Sequence, residues 1–141
     1  MAEGRERLHK IWRISPGSFY ASHGFAASPI LCDGGVLVNG HQDGGAFVVL
    51  LDGATGREKW RYKPDTQLRS FSTPVLGSIQ GNRQIILAGA KQTVGLEPES
   101  GEVLAKNRLD EMVQASPAIS DGAIYVRGER HVWKIGSETK H

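Results

Sequence analysis

The sequence predicts an all-β fold of about three four-stranded antiparallel meanders. Three observations carry the prediction. The stretch Val48–Trp60 reads as a strand, a tight turn and a second strand. That stretch recurs at a fixed spacing. Eighteen glycines with few aromatics suit a turn-rich chain.

Val48 to Leu51 is a continuous β-branched and aliphatic run, as in a strand buried on both faces. Asp52 to Gly56 is turn chemistry. The Asp and Thr side chains can bond nearby backbone N–H groups, and Gly56 can take a positive φ without a Cβ penalty. The chain returns as a polar strand carrying Trp60. That indole is expected to be buried between two units, with its N–H on a backbone carbonyl.

The repeats are in phase. Leu96–Glu102 repeats Leu51–Arg57 45 residues on, and Ser72-Thr73-Pro74 repeats Ala27-Ser28-Pro29 at the same offset. Ala115-Ser116-Pro117 follows after a further 43 residues. A repeat of roughly 40–45 residues made of short strands is the sequence sign of propeller blades. The expected architecture is about three blades of a β-propeller forming an incomplete ring.

Asp52-x-x-Thr55-Gly56-x-x-x-Trp60, with Ser-Pro or Thr-Pro opening each unit, resembles the repeat of the quinoprotein-like (PQQ-like), BamB-like β-propellers. The resemblance covers residues 8–136. The second copy departs from it, with Ala105 where Trp60 would recur, so one docking Trp is missing. The third copy reaches Gly136-Ser137-Glu138 without a further Trp.

The resemblance implies a non-catalytic segment that binds or scaffolds a protein, peptide or small ligand. The alternative is a fragment of a quinone-dependent dehydrogenase whose catalytic residues lie outside this chain. Such enzymes use an adjacent cysteine pair, a carboxylate base and a calcium site. Cys32 is the only cysteine, which rules out the pair, and no Asp/Glu/Asn cluster has calcium-site spacing. No Ser/His/Asp motif or phosphate-cradling glycine loop appears either. No cofactor is expected.

In chain order, residues 1–14 read as a charged end and a strand over Lys10–Ile14, the outer strand of a preceding or closing blade. Residues 15–63 form blade one, 64–110 blade two and 111–141 blade three, which lacks its outer strand. Blade one has strands at 26–31, 36–39, 47–51 and 58–63, with Asp33-Gly34 as a hairpin signal. Blade two has strands at 71–76, 84–88, 93–96 and 103–109, and a longer first hairpin loop through Gly77–Asn82. Blade three has strands at 116–119, 124–127 and 131–135. The closing segment Tyr125–Ile135 suggests a C-terminal piece of a larger propeller.

In such meanders the loops between strands two and three share one end with the connections between blades. Function collects on loops held by a rigid scaffold. The candidate ligand-binding residues at that end are His23, His41, Asp43, Arg69, Lys91 and Arg127. His23, His41 and Asp43 carry metal-ligand chemistry, but their spacing matches no motif, so no metal site is expected.

A net charge of +2 over 141 residues gives no argument for nucleic acid or an anionic membrane. No stretch reaches the roughly 18 apolar residues of a membrane span. Met1–Arg7 is charged and no apolar run follows, so no signal peptide is read, although the family is often periplasmic or exported. An arc of three blades is expected to expose two apolar blade faces. For a complete chain self-association follows as an expectation, with a six-bladed dimer ring as the simplest closed product, and for a fragment poor solubility or aggregation.

Overall fold

The computed structural model describes residues 6–18, 24, 26–40, 45–65, 70 and 72–138. The described residues contain ten strands and no helix. The first sheet joins β1 (Ile30–Cys32), β2 (Gly35–Asn39), β3 (Val48–Asp52) and β4 (Glu58–Tyr62) in that order. The second joins β5 (Val75–Ile79), β6 (Asn82–Leu96) and β7 (Val103–Val113). The third joins β8 (Ala118–Ser120), β9 (Ala123–Arg127) and β10 (Val132–Ile135). Every pairing is antiparallel.

Although β6 is continuous, it folds back on itself. Its first part pairs with β5 and its second part, from Ala90, with β7. A Cβ on Gly95 would meet the Gln84 side chain. Eleven residues of straight strand would separate the two by about 36 Å. The reversal falls where Ala90 adopts φ 56°. Thus β6 holds both middle strands that the sequence predicts for this blade.

Each first hairpin closes through two residues of positive φ: Asp33 and Gly34 (49° and 73°), Gln80 and Gly81 (53° and 80°), Asp121 and Gly122 (51° and 73°). This geometry matches the twist of the flanking strands. It corrects the longer loop expected at 77–82. There β5 runs on to Ile79, which pairs with Asn82. Gln80 hides the turn in the sequence, because Gln is not a residue that favours positive φ. The opening strands also begin later than expected, at Ile30, Val75 and Ala118. Pro29, Pro74 and Pro117 have no N–H for a ladder, so pairing starts after each.

Residues 6–18 carry no strand, which corrects the strand expected over Lys10–Ile14. A strand needs a neighbour to complete its ladder, and no described strand lies beside this segment. It covers the outer face of the first sheet instead. Trp12 packs on Phe47, Val49 and Leu51, which are 3, 0 and 4% exposed. The Arg61 guanidinium lies 4.8 Å from the Phe47 ring centroid and also donates to the Pro16 carbonyl. So the first blade does not show the bare apolar face expected of it.

Two apolar layers hold the sheets together. Cys32, Leu37, Val48, Leu50 and Trp60 meet Ile85, Leu87, Val94 and Leu96 between the first and second sheets. Ile86, Ala88, Leu109 and Val113 meet Ile124 and Val126 between the second and third.

Candidate functional site

The repeated turn is built from its own side chains. Asp52 Oδ1 accepts from the backbone N–H of Ala54 and Thr55 (3.0 and 2.9 Å) and from the Thr55 hydroxyl (3.0 Å). These hydrogen bonds, first the one from the Thr55 N–H, hold the Asp52 carboxyl below its ordinary pKa. Glu97 repeats the pattern with Glu99 and Ser100. Gly56 and Gly101 both sit at φ 74°. Thr55 and Gly56 therefore serve the turn.

Each turn receives a tryptophan. Trp12 Nε1 donates to the Gly53 carbonyl and Trp60 Nε1 to the Pro98 carbonyl, both at 2.9 Å. A Cβ on Gly56 would lie 2.8 Å from Trp12 Cε3, and one on Gly101 would lie 2.7 Å from Trp60 Cδ2. The glycine is thus required twice, by φ and by the ring. Trp60 is 8% exposed, whereas Ala105, at the equivalent place in the next copy, is exposed.

A second link runs through the residues before the prolines. Ser28 N–H donates to Thr73 Oγ1 (3.1 Å), and Thr73 N–H to Ser116 Oγ (2.8 Å). Deeper in the first seam, Asn39 Nδ2 donates to the Ser72 carbonyl (3.0 Å), and the Ser70 and Ser72 hydroxyls both donate to the Ala88 carbonyl.

Ala105 leaves the second seam without the Trp60-type dock, and there Glu111 adds a polar bridge to the apolar layer and the Thr73–Ser116 link. Its side chain is 4% exposed and accepts from the backbone N–H of Arg130 (3.1 Å) and His131 (2.8 Å). Desolvation works to raise its pKa, but those two N–H groups and His131 outweigh it and the pKa is lowered. His131 Nδ1 lies 3.3 Å from Glu111 Oε1. Nothing in the repeat motif marked Glu111. Its signal would have been an acidic residue at a strand end, opposite a hairpin with free N–H groups.

Of the six candidate site residues, His23, His41, Asp43 and Arg69 lie outside the described residues. Lys91 and Arg127 are exposed and are not brought together. Lys91 lines a cleft of about 310 Å³ with Asp65, Gln92, Arg108 and Leu109. Arg127 lines a separate cleft of about 190 Å³ with Met112, Gln114, Ala115, Gly128 and Glu129. Beside the first cleft, Asp65 accepts from Lys106 Nζ (2.7 Å) and Gln92 Nε2 (3.3 Å), which lowers its pKa. Burial raises the pKa of the Tyr62 hydroxyl, which has no hydrogen-bond partner among the described residues.

A larger cavity, about 630 Å³, lies at the other end, among the hairpin turns. Asp33, Arg83, Gln84, Glu97, Pro98 and Leu104 are among its lining. Arg83 pairs with Asp33 there at 2.8 Å. The sequence pointed away from this end because its turns read as purely structural. Among the described residues, no three His, Cys, Asp or Glu side chains are grouped to hold a metal ion. No helix there is long and apolar enough to cross a membrane.

Antiparallel sheets stacked face to face, with Trp60 of the first sheet seated on the turn of the second, define blades of a β-propeller. The family model described as outer membrane protein assembly factor BamB matches residues 44–140, and the chain belongs to this family of PQQ-like repeats. Among solved structures, it is similar to the crystal structure of BamB from Moraxella catarrhalis, with a TM-score of 0.56 and 18% identity. That match covers 71% of this chain and 29% of the BamB chain, so this chain spans less than a third of that protein. Among curated proteins, none matches the sequence.

Proposed function

We propose that the chain is a non-catalytic scaffold that displays its loops and clefts to a protein partner. The observation that carries this reading is its membership of a family described as an assembly factor. The packing supports it: two apolar layers, the Trp–Gly docks and the Ser/Thr links fix each blade against the next. A surface held this way can present side chains at little entropic cost on binding. The loop end, with Lys91 and Arg127 in separate clefts, is the proposed contact region.

A photo-crosslinking residue placed at Lys91 or Arg127 tests the reading in cells. One discrete protein adduct, reduced by charge reversal at the neighbouring position, is the expected result. No adduct from either position would overturn it. So would an absorbance shift when a quinone cofactor and calcium are added to the purified chain, which would favour the dehydrogenase fragment.

A further inference from the structure

The second blade is packed on both faces by neighbouring sheets. Ile85, Leu87, Val94 and Leu96 meet the first sheet, and Ile86, Ala88, Leu109 and Val113 meet the third. The cavity of about 630 Å³ opens at the hairpin end of the seam with the first blade. Its walls come from both blades. Asp33 belongs to the first, and Arg83, Glu97, Pro98, Glu99 and Leu104 belong to the second.

The repeat does not require this lining. Counted from each hairpin turn, the places of Asp33, Arg83 and Glu97 at the second seam hold Gln80, Ile124 and Gly136. Ile124 is 6% exposed and joins the apolar layer there. At the first seam Arg83 reaches across to Asp33 at 2.8 Å, so its charge is taken up. Glu97 Oε2 is engaged by the N–H groups of its own turn. Glu99 gives that turn its backbone N–H, and among the described residues its carboxylate has no cationic partner. The lining therefore sets three carboxylates against one guanidinium. Beside them Leu104 is 48% exposed and, with Pro98, gives the same cavity an apolar wall.

We infer that this cavity takes a lysine or arginine side chain from an extended segment of a partner protein. The aliphatic stem lies on Leu104 and Pro98, and the charged head faces the Glu99 carboxylate. A long basic side chain fits both parts of the wall, because it joins an apolar stem to a cationic head. A metal ion does not, since no three His, Cys, Asp or Glu side chains among the described residues are grouped to hold one. The surplus negative charge sets the sign of the partner. The inference rests on the scaffold reading and adds a contact at the end of the blades away from Lys91 and Arg127.

The probe is a blocked seven-residue peptide of Ser and Ala with one central Lys. Counterparts carry norleucine or Glu at that place. Binding to the full chain is followed by NMR amide shifts at low salt. The Lys peptide is expected to move the amides of residues 97–101 and 104, and the Glu peptide to move none. The Lys peptide should bind about fivefold more tightly than the norleucine peptide, the upper value of one exposed ion pair. Glu99→Gln should abolish that preference and leave the unfolding midpoint unchanged. Leu104→Ser should weaken the Lys and norleucine peptides alike. Equal binding of those two peptides, shifts confined to other residues, or a preference that survives Glu99→Gln overturns the inference. So does a lowered midpoint for Glu99→Gln, which would make the carboxylate part of the fold. Putrescine matching the Lys peptide at the same concentration also overturns it, by assigning the cavity to a free diamine. Crosslinking at Lys91 and Arg127 reads the other end of the blades, so failure here is distinct from failure of the scaffold reading.

Discussion

The indole N–H of Trp60 donates to the carbonyl of Pro98 at 2.9 Å across the seam between two blades. The ring occupies the space that a side chain on Gly101 would need. Trp12 stands in the same relation to Gly53 and Gly56. The repeat motif is therefore two halves of an inter-blade contact, a tryptophan on one blade and its glycine bed on the next.

Trp60→Ala should destabilise the chain by about 3–5 kcal/mol, as for other buried aromatics. Denaturant unfolding checks this. Trp12→Ala should cost less, because its surroundings are more exposed than those of Trp60.

Gly101→Ala forces a Cβ both into a left-handed conformation and into the Trp60 ring. A loss of about 2–4 kcal/mol is expected, combining the cost of left-handed backbone with overpacking. In a Trp60→Ala background the ring is gone and only the backbone part, about 1–2 kcal/mol, should remain. Additive losses in that double-mutant cycle would show that the glycine does not act through the tryptophan.

Glu111 gives an acid-sensitive seam. Its folded pKa is lowered, so its stabilisation is complete above the ordinary glutamate range and is lost as pH falls through the folded value. Glu111→Gln should lower the unfolding midpoint at neutral pH and flatten its dependence across the acid range below the ordinary glutamate pKa. Asp52, also lowered, acts in the same direction in the first turn, so Asp52→Asn should remove part of the remaining acid dependence. Thermal melts across that range check both.

Thr73→Val removes the oxygen that accepts the Ser28 N–H, while Thr73→Ser keeps it. The valine variant should lose about 0.5–1.5 kcal/mol, the net value of one hydrogen bond, and the serine variant close to none. Equal losses would assign Thr73 a packing role only.

The sequence by itself determined the local chemistry and its period. The Asp52–Gly56 turn, the positive φ at Gly56, the buried Trp60 and the three-blade repeat could be read because each depends on residues close in the chain or on self-similarity along it. Strand limits near the prolines and the Gln80-Gly81 turn were obscured where a residue's usual preference differed from its setting. Only the tertiary structure decided what depends on neighbours far along the chain. Glu111 reaches the N–H groups of Arg130 and His131 only because two blades stack. Lys10–Ile14 is not a strand because no described strand flanks it. The face of the first blade is covered because Trp12 docks on its turn. Alternation along a strand shows that it has two faces, but what covers each face is set by packing between sheets.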